Sequence, residues 1–206
     1  MEEKLIALTF DDGPNTTVTL QTLDRLKKYN IVGTFFLIGE RITDESEKSV
    51  ERALSQGCEI ENHTWTHPFM TKLTAEEIRE EVESTTERIV KITGRKPEFF
   101  RPPFIEVNQL MYDTIDMTFI CGAGCDDWIP DTTAQRRYEL AMEHAKHGEM
   151  ILLHDMIYNE KTVEALDMMI PEMLEKGFEF VTVSQLFRQC GVTPKRNVLY
   201  SNVFDT

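Results

Sequence analysis

Short apolar runs alternate with longer segments of helical periodicity along the chain, and this alternation restricts the fold more than any other feature. The runs cover residues 5–8, 31–38, 58–61, 98–100, 117–121, 149–153 and 178–183. They are predominantly apolar, and read as buried rather than half-exposed strands. Helices are expected from Thr16 or Thr17 to about Tyr29, then over 45–56, 74–94, 107–115, 133–147 and 162–176, with a last one capped by Ser184. Thr74 and Glu77 form a capping box. Gly57, Gly94 and Gly177 suit left-handed helix ends. Buried strands that alternate with helices make a parallel sheet with helical cover. No linker, repeat or change of composition divides the chain, so its 206 residues read as one domain. The tail 193–206 shows no pattern.

A second regularity concerns where the chemistry sits. The polar groups Asp11 and Asp12, His63 and His67, Arg101, Asp126 and Asp127, and His154 and Asp155 all follow the end of an apolar run. In parallel α/β folds these ends gather on one face, and sites form there. Five groups on five strand ends converge most readily when the sheet curls on itself. The expected architecture is therefore a distorted (β/α) barrel, complete or not, of about seven parallel strands.

Bulk properties remove several functions. The net charge of −14 argues against nucleic acid and anionic lipid as partners. No apolar run approaches the roughly 18 residues of a membrane span. Met1-Glu2-Glu3-Lys4 lacks the basic flank and apolar core of a secretory leader. Of the four cysteines, Cys121 and Cys125 have no second Cys or His pair at zinc-site spacing, and free thiols are the simpler reading.

The remaining residues suggest a catalytic metal site with groups that move protons. Asp11 and Asp12 lie where a strand leaves the core. Neighbouring side chains on a strand diverge, so a turn there can give two carboxylates one site and different neighbours. One can then bind a metal while the other moves protons; the plain alternative is an Asp-rich turn. His63 and His67, four residues apart, share one face of a helical turn and can hold one ion. With Asp12 they make a two-histidine, one-carboxylate set that leaves a position open, as catalytic zinc sites do. His154 with a carboxylate behind it makes a general acid. Asp155 is the nearer partner in sequence, but adjacent strand residues diverge, which favours Asp127. Arg101 can pair with Asp11 and tune it. Trp128, Trp65, Phe104 and Leu152 offer apolar walls. A phosphatase would want Asp-x-Asp and a placed lysine, and the Asp spacing here is wrong.

Five stretches, in this order, resemble the polysaccharide deacetylases of carbohydrate esterase family 4, those with the NodB homology domain. They are Thr9-Phe10-Asp11-Asp12-Gly13-Pro14, His63-Thr64-Trp65-Thr66-His67, Arg101-Pro102-Pro103, Asp127-Trp128 and Leu152-Leu153-His154-Asp155. Each is weak alone; together they are specific. The resemblance implies a distorted (β/α) barrel that removes acetyl groups from an acetylated polysaccharide or oligosaccharide. It implies one divalent ion, usually zinc, with cobalt, nickel or manganese as alternatives. By position, Asp12, His63 and His67 match the metal ligands and Asp11 the general base. Arg101 matches its tuning partner, His154 the general acid and Asp127 the residue that orients it. Phe104, Trp128, Leu152 and Pro103 match substrate contacts, with the Phe104 N–H as oxyanion donor. After Arg-Pro-Pro the family commonly has Tyr then Gly; here stand Phe104 and Ile105. That departure, residues 127–133 and the run 170–181 look most like the family's acetylxylan esterases. Chitin and peptidoglycan N-deacetylases, and a barrel that binds carbohydrate without catalysis, are the competing expectations. A monomer is expected. A polymer substrate implies a secreted or extracellular protein whose leader is absent from this sequence; a cytoplasmic location stays open.

Overall fold

The computed structural model describes residues 4–206. Met1–Glu3, on which the reading of a missing leader partly rests, lie outside the described residues. Nine strands form one sheet among the described residues: β1 (Lys4–Gly13), β2 (Thr34–Leu37), β3 (Glu59–Asn62), β4 (Phe99–Phe100), β5 (Thr118–Ile120), β6 (Ala123–Gly124), β7 (Glu149–His154), β8 (Phe178–Phe180) and β9 (Leu199–Tyr200). The helices are α1 (Val18–Lys28), α2 (Glu47–Ser55), α3 (Ala75–Thr93), α4 (Gln109–Thr114), α5 (Ala134–His144), α6 (Glu160–Glu175) and α7 (Val183–Gln189). All the strand pairings in this sheet are parallel. The order is β6-β7-β1-β2-β3-β4-β5-β9, with β8 beside β1.

The sheet curls into a distorted α/β barrel, as the alternation predicts, and it holds two more strands than the apolar runs announce. Both extra strands, β6 and β9, have two residues, too few to show a period. They also explain the patternless tail. The Cys121 and Gly122 N–H groups donate to the Tyr200 carbonyl at 2.7 and 3.2 Å, and Met150 N–H donates to the Ser201 carbonyl at 3.0 Å. Glu149 and Asn202 form an antiparallel bridge. The tail thus stitches β5 to the start of β7.

β1 is the hub. Its start pairs with β8, its end with β2, and its length from Ile6 to Asp11 with β7. Its side chains alternate. Ile6, Leu8 and Phe10 pack with Leu23 and Leu26 of α1 and Leu166 and Ile170 of α6. Leu5 and Ala7 face the other way, with Phe36, Phe99, Met150 and the α7 residues Val183, Leu186 and Phe187. Helix α7 closes the end where β2 and β3 begin, donating Val183 N–H to Thr34 Oγ1 and Ser184 N–H to Glu59 Oε2. Each fully buried Leu, Ile or Phe contributes about 1.5–3 kcal/mol. The inner row continues through Thr9 to Asp11, so along β1 the interior turns polar toward the strand end.

Two caps differ from expectation. The Thr17 side chain caps nothing in α1. Asn15 Oδ1 does this, accepting from the N–H groups of Thr17 and Thr19 at 3.0 and 3.2 Å. In α7 the cap is Thr182, in a capping box with Gln185, and Ser184 lies inside the helix. The capping box at Thr74 and the left-handed Gly94 stand as expected.

Candidate active site

Asp11 and Asp12 reach the same site through a bulge rather than a turn. In the β1–β2 ladder Asp11 pairs with Phe36 and Gly13 with Leu37, so Asp12 is the extra residue. Its φ of 71° is left-handed, and that twist turns its side chain to the side Asp11 occupies. His63 and His67 also come together without the expected helical turn. Residues 63–67 form a bend with left-handed φ at Thr64 and His67. The His63 N–H donates to the Leu37 carbonyl at 3.0 Å, and beyond it the bend holds because its N–H groups meet side chains. Thr64 N–H donates to Asn62 Oδ1, His67 N–H to Thr64 Oγ1, and Trp65 and Thr66 N–H to the Glu81 carboxylate of α3.

The three groups Asp12, His63 and His67 offer ligand atoms within 4.8 Å of one another. Asp12 Oδ1 lies 3.6 Å from Nε2 of each histidine and, though buried, has no hydrogen-bond partner. A buried carboxylate oxygen without a donor is costly, and a cation between it and two imidazoles removes the cost. The rings are in the state a cation needs. His63 Nδ1 faces the Arg101 carbonyl at 2.7 Å and so carries the proton, leaving an Nε2 lone pair toward Asp12. Burial lowers the His63 pKa to about 3 against the pull of Asp12, and burial lowers that of His67 too. Both rings are therefore neutral near pH 7. The donor set fits a divalent ion of borderline softness.

Beside this set, Asp11 is 2% exposed. Arg101 Nη1 donates to Asp11 Oδ1 at 2.6 Å, Nη2 donates to Thr9 Oγ1 at 2.9 Å, and the guanidinium lies 4.1 Å from the Phe36 ring centre. Burial raises the Asp11 pKa, while Arg101 and His154 pull it back. The ion pair with Arg101 favours the carboxylate form, and burial makes that carboxylate more basic than a solvated one. Across the cleft, His154 Nδ1 meets Asp127 Oδ1 at 2.8 Å, and Asp127 Oδ2 accepts the His154 backbone N–H at 2.6 Å. Burial alone would lower the His154 pKa; Asp127, then Asp11 and Asp12, carry it up to about 9. Asp155 points away from the ring, as adjacent strand residues must. It bonds Thr19 Oγ1, and its buried carboxyl rises to about 7, mainly through burial.

A cavity of about 490 Å³ joins Asp11, Asp12, His63, His67 and His154 with Phe104, Trp128 and Leu152. Pro102 lines it, whereas Pro103, named from the sequence, is buried outside the lining. Trp65 is also absent from this wall. It packs on Gly39, where an added Cβ would come within 2.3 Å of its ring. Gly124 makes room for Trp128 in the same way, with a virtual Cβ 3.2 Å from that ring. Phe104 stacks on Phe69 at 4.1 Å and meets His67 edge-on at 4.7 Å. Left-handed non-glycine residues collect in and beside the motifs here: Asp12, Thr64, His67, Phe104, Ile105 and Asp126. Such strain marks functional loops. Several contributors are not expected in the cavity wall from the sequence, although Ile105 and Cys121 stand out there for other reasons. Ile105, Cys121, Gly122 and Gly124 line the cavity, and Arg41 Nη1 donates to the Asp12 carbonyl at 2.6 Å.

The comparisons with known proteins agree with this geometry. The profile of the polysaccharide deacetylase family matches residues 1–118. A bifunctional xylanase/deacetylase of Pseudobutyrivibrio xylanivorans is 45% identical over 202 residues, which is 98% of this chain and 33% of that protein. The peptidoglycan-N-acetylmuramic acid deacetylase of Bacillus subtilis is 38% identical over 89% of this chain and 39% of its own length. The chain thus spans between a third and two fifths of these two relatives. Among solved structures, the CE4 domain of a multidomain xylanase from the hindgut metagenome of Trinervitermes trinervoides superposes with a TM-score of 0.97 at 42% identity, covering 100% of both chains. A family 4 acetyl xylan esterase from Clostridium thermocellum, in complex with a cobalt ion, gives 0.94 at 39% identity, covering 98% of this chain and 100% of that one. With the matched profile, the curled parallel barrel and the strand-end cluster taken together, this chain belongs to the polysaccharide deacetylases of carbohydrate esterase family 4.

Proposed function

We propose that the protein hydrolyses acetyl groups on a carbohydrate polymer with a divalent metal, and that its preferred bond is the O-acetyl ester of acetylated xylan. The observation that carries the reading is the orphaned Asp12 Oδ1 facing two neutral imidazoles, beside an Asp11 paired with Arg101 and a protonated His154. Asp12, His63 and His67 would hold the ion. When bound, it supplies Lewis acidity for the acetyl carbonyl and its attacking water; zinc suits the donors, and cobalt is present in a similar structure.

The chain's own groups divide the rest. Asp11 takes the proton of the water, with Arg101 fixing its direction. The N–H of Phe104, at the rim of the cavity, can donate to the developing oxyanion. Charged, His154 keeps one ring proton on Nδ1 against Asp127 and gives the other, on Nε2, to the leaving sugar oxygen. Leu152, Gly124 and Trp128 give the cavity an apolar wall for the acetyl methyl. An ester alkoxide leaves more readily than an amine anion, so a sugar ester asks less of His154 than an amide does.

The xylan preference is supported by the relatives that carry xylanase or acetyl xylan esterase in their names and by Phe104-Ile105 at the cleft. An N-acetyl substrate in peptidoglycan is the second reading, favoured by the Bacillus relative. An acetylated wall polymer lies outside the cell, and the protein is expected to act there as a monomer. Acetate release from acetylxylan, chitooligosaccharide and peptidoglycan, each with and without chelator, tests the proposal. Asp12→Ala and His63→Ala should lose metal and turnover together, while Asp11→Asn keeps the metal and loses turnover. An Asp11→Asn variant with full activity would overturn the base assignment, and an active chelated enzyme would overturn the metal.

A further inference from the structure

Arg137 is a long basic residue on the first turn of α5, where a solvated side chain would be ordinary. It is 1% exposed. Its donors are nearly all engaged. Nε–H donates to the Thr132 carbonyl at 3.1 Å and Nη2 to the Ile129 carbonyl at 3.3 Å. Nη1 donates to Asn159 Oδ1 at 2.6 Å and to Thr162 Oγ1 at 2.8 Å. It pairs with no carboxylate directly among the described residues, an unusual state for a buried cation.

The next bonds out show where its charge is used. A guanidinium has donors and no acceptor, so each relay can run in one direction only. Thr162 Oγ1 accepts from Arg137 and directs its own proton to Asp127 Oδ2 at 2.9 Å. Asn159 Oδ1 accepts from Arg137, which turns Nδ2 toward Asp127 Oδ2 at 3.4 Å and the His154 carbonyl at 2.9 Å. With the His154 backbone and ring N–H groups, each hydrogen-bonding partner of the Asp127 carboxylate becomes a donor.

We propose that Arg137 is a positioning residue for the proton donor: through Thr162 and Asn159 it holds Asp127 as a charged, acceptor-only group, and so keeps the His154 ring proton-bearing at Nδ1 and aimed into the cleft at Nε2. Through the carbonyls of Ile129 and Thr132 it also fixes the loop that carries Trp128. Without the guanidinium, the Thr162 hydroxyl is free to turn to another acceptor. The Asn159 amide is free to flip its oxygen toward Asp127, where two acceptors would repel. The inference rests on the reading of His154 as general acid.

Leaving-group dependence separates this role from a merely structural one. Acetylated xylooligosaccharide leaves as a sugar alkoxide that needs a proton; 4-nitrophenyl acetate leaves as a stabilised phenolate that does not. Arg137→Met should lower kcat on the sugar acetate by roughly 10- to 100-fold, the range for one hydrogen bond to a charged group. It should leave kcat on 4-nitrophenyl acetate within about threefold, with KM little changed. Thr162→Val removes one relay while keeping shape and the helix. It should show the same selective loss at smaller size, and it decides the matter if Arg137→Met does not fold. Equal losses on both substrates, or no loss on either, overturn the proposal. His154→Ala, assayed in parallel, distinguishes the two failures. A selective loss there without one in Arg137→Met and Thr162→Val sinks the positioning role alone; no selectivity in His154→Ala sinks the general-acid reading beneath it.

Discussion

The His154–Asp127 pair makes a quantitative claim about stability against pH. His154 titrates near 6.5 in the unfolded chain and at about 9 in the fold. A proton bound more tightly in the folded state stabilises it. The effect is complete below about pH 6.5, where both states hold the proton, and is lost as pH rises through about 9. The whole effect is worth about 3 kcal/mol, of which about 2 kcal/mol disappears between about pH 7 and about pH 9. The ring side chain is 13% exposed and Asp127 fully buried, so solvent screening removes little of it. Other shifted groups act elsewhere. Asp155, raised to about 7, loses its contribution mostly below that pH. His63, lowered to about 3, gains stability between there and 6.5. Burial pushes the Cys58 thiol up to about 11 and that of Cys125 up as well, so both act beyond about pH 9. The assay is urea unfolding of chelated protein at intervals from about pH 7 to about pH 9, for wild type and Asp127→Asn. Asparagine still accepts from Nδ1–H but brings no charge, so the His154 pKa should fall below 6.5 as burial dictates. The stability gap between the two proteins should then shrink by about 2 kcal/mol across the window. A constant gap would refute the reasoning, because it would mean that Asp127 does not hold the proton.

Three further outcomes are expected. Ile105 has φ 57°, a left-handed value that a β-branched residue resists; Ile105→Gly should be more stable than Ile105→Ala by about 1 kcal/mol, the reverse of the usual order, and a more stable alanine variant would show the strain to be absent. At Gly122, φ is 86° and an added Cβ would lie 3.1 Å from Arg101 Nη2, Leu152 Cβ and the Met150 carbonyl; Gly122→Ala should cost about 1–3 kcal/mol in thermal unfolding and lower kcat by displacing Arg101, and an unchanged melting temperature would contradict it. Phe69 backs the exposed Phe104 ring; Phe69→Ala should raise KM for acetylated polymer by roughly 3- to 10-fold through a lost stacking pair of about 0.5–1.5 kcal/mol, leaving 4-nitrophenyl acetate unaffected, and equal effects on both substrates would exclude a platform role.

The parts of the fold visible in the sequence are those with enough residues to show a period or a cap. Runs such as Glu149–His154 and the Thr74–Glu77 box announce themselves, and the polar residue at each strand end follows from where each run stops. β6 and β9 have two residues each and depend on partners far away in the chain. The bulge at Asp12 and the bend at residues 63–67 were hidden for another reason. Left-handed φ at Asp, Thr and His is imposed by tertiary hydrogen bonds such as those from Glu81, and local propensity points elsewhere. Arg137 was hidden most fully, because a basic residue in a polar helix normally faces solvent. Only the positions of Asn159 and Thr162, supplied by a later helix, show that it turns inward.

The central place of β1 has a consequence for how the chain acquires its structure. Thr9 donates to the carbonyl of Ile151, 142 residues away, and three strands drawn from across the chain converge on the first. Closing such distant contacts costs entropy before they return any stabilisation, and folding slows accordingly. During synthesis the first strand must wait, apolar and unpaired on one edge, until β7 and β8 have been made. The nascent barrel is thus most exposed to misassociation while most of its residues are already present, and a partner that shields the edge of β1 in that interval would raise yield without touching the finished site.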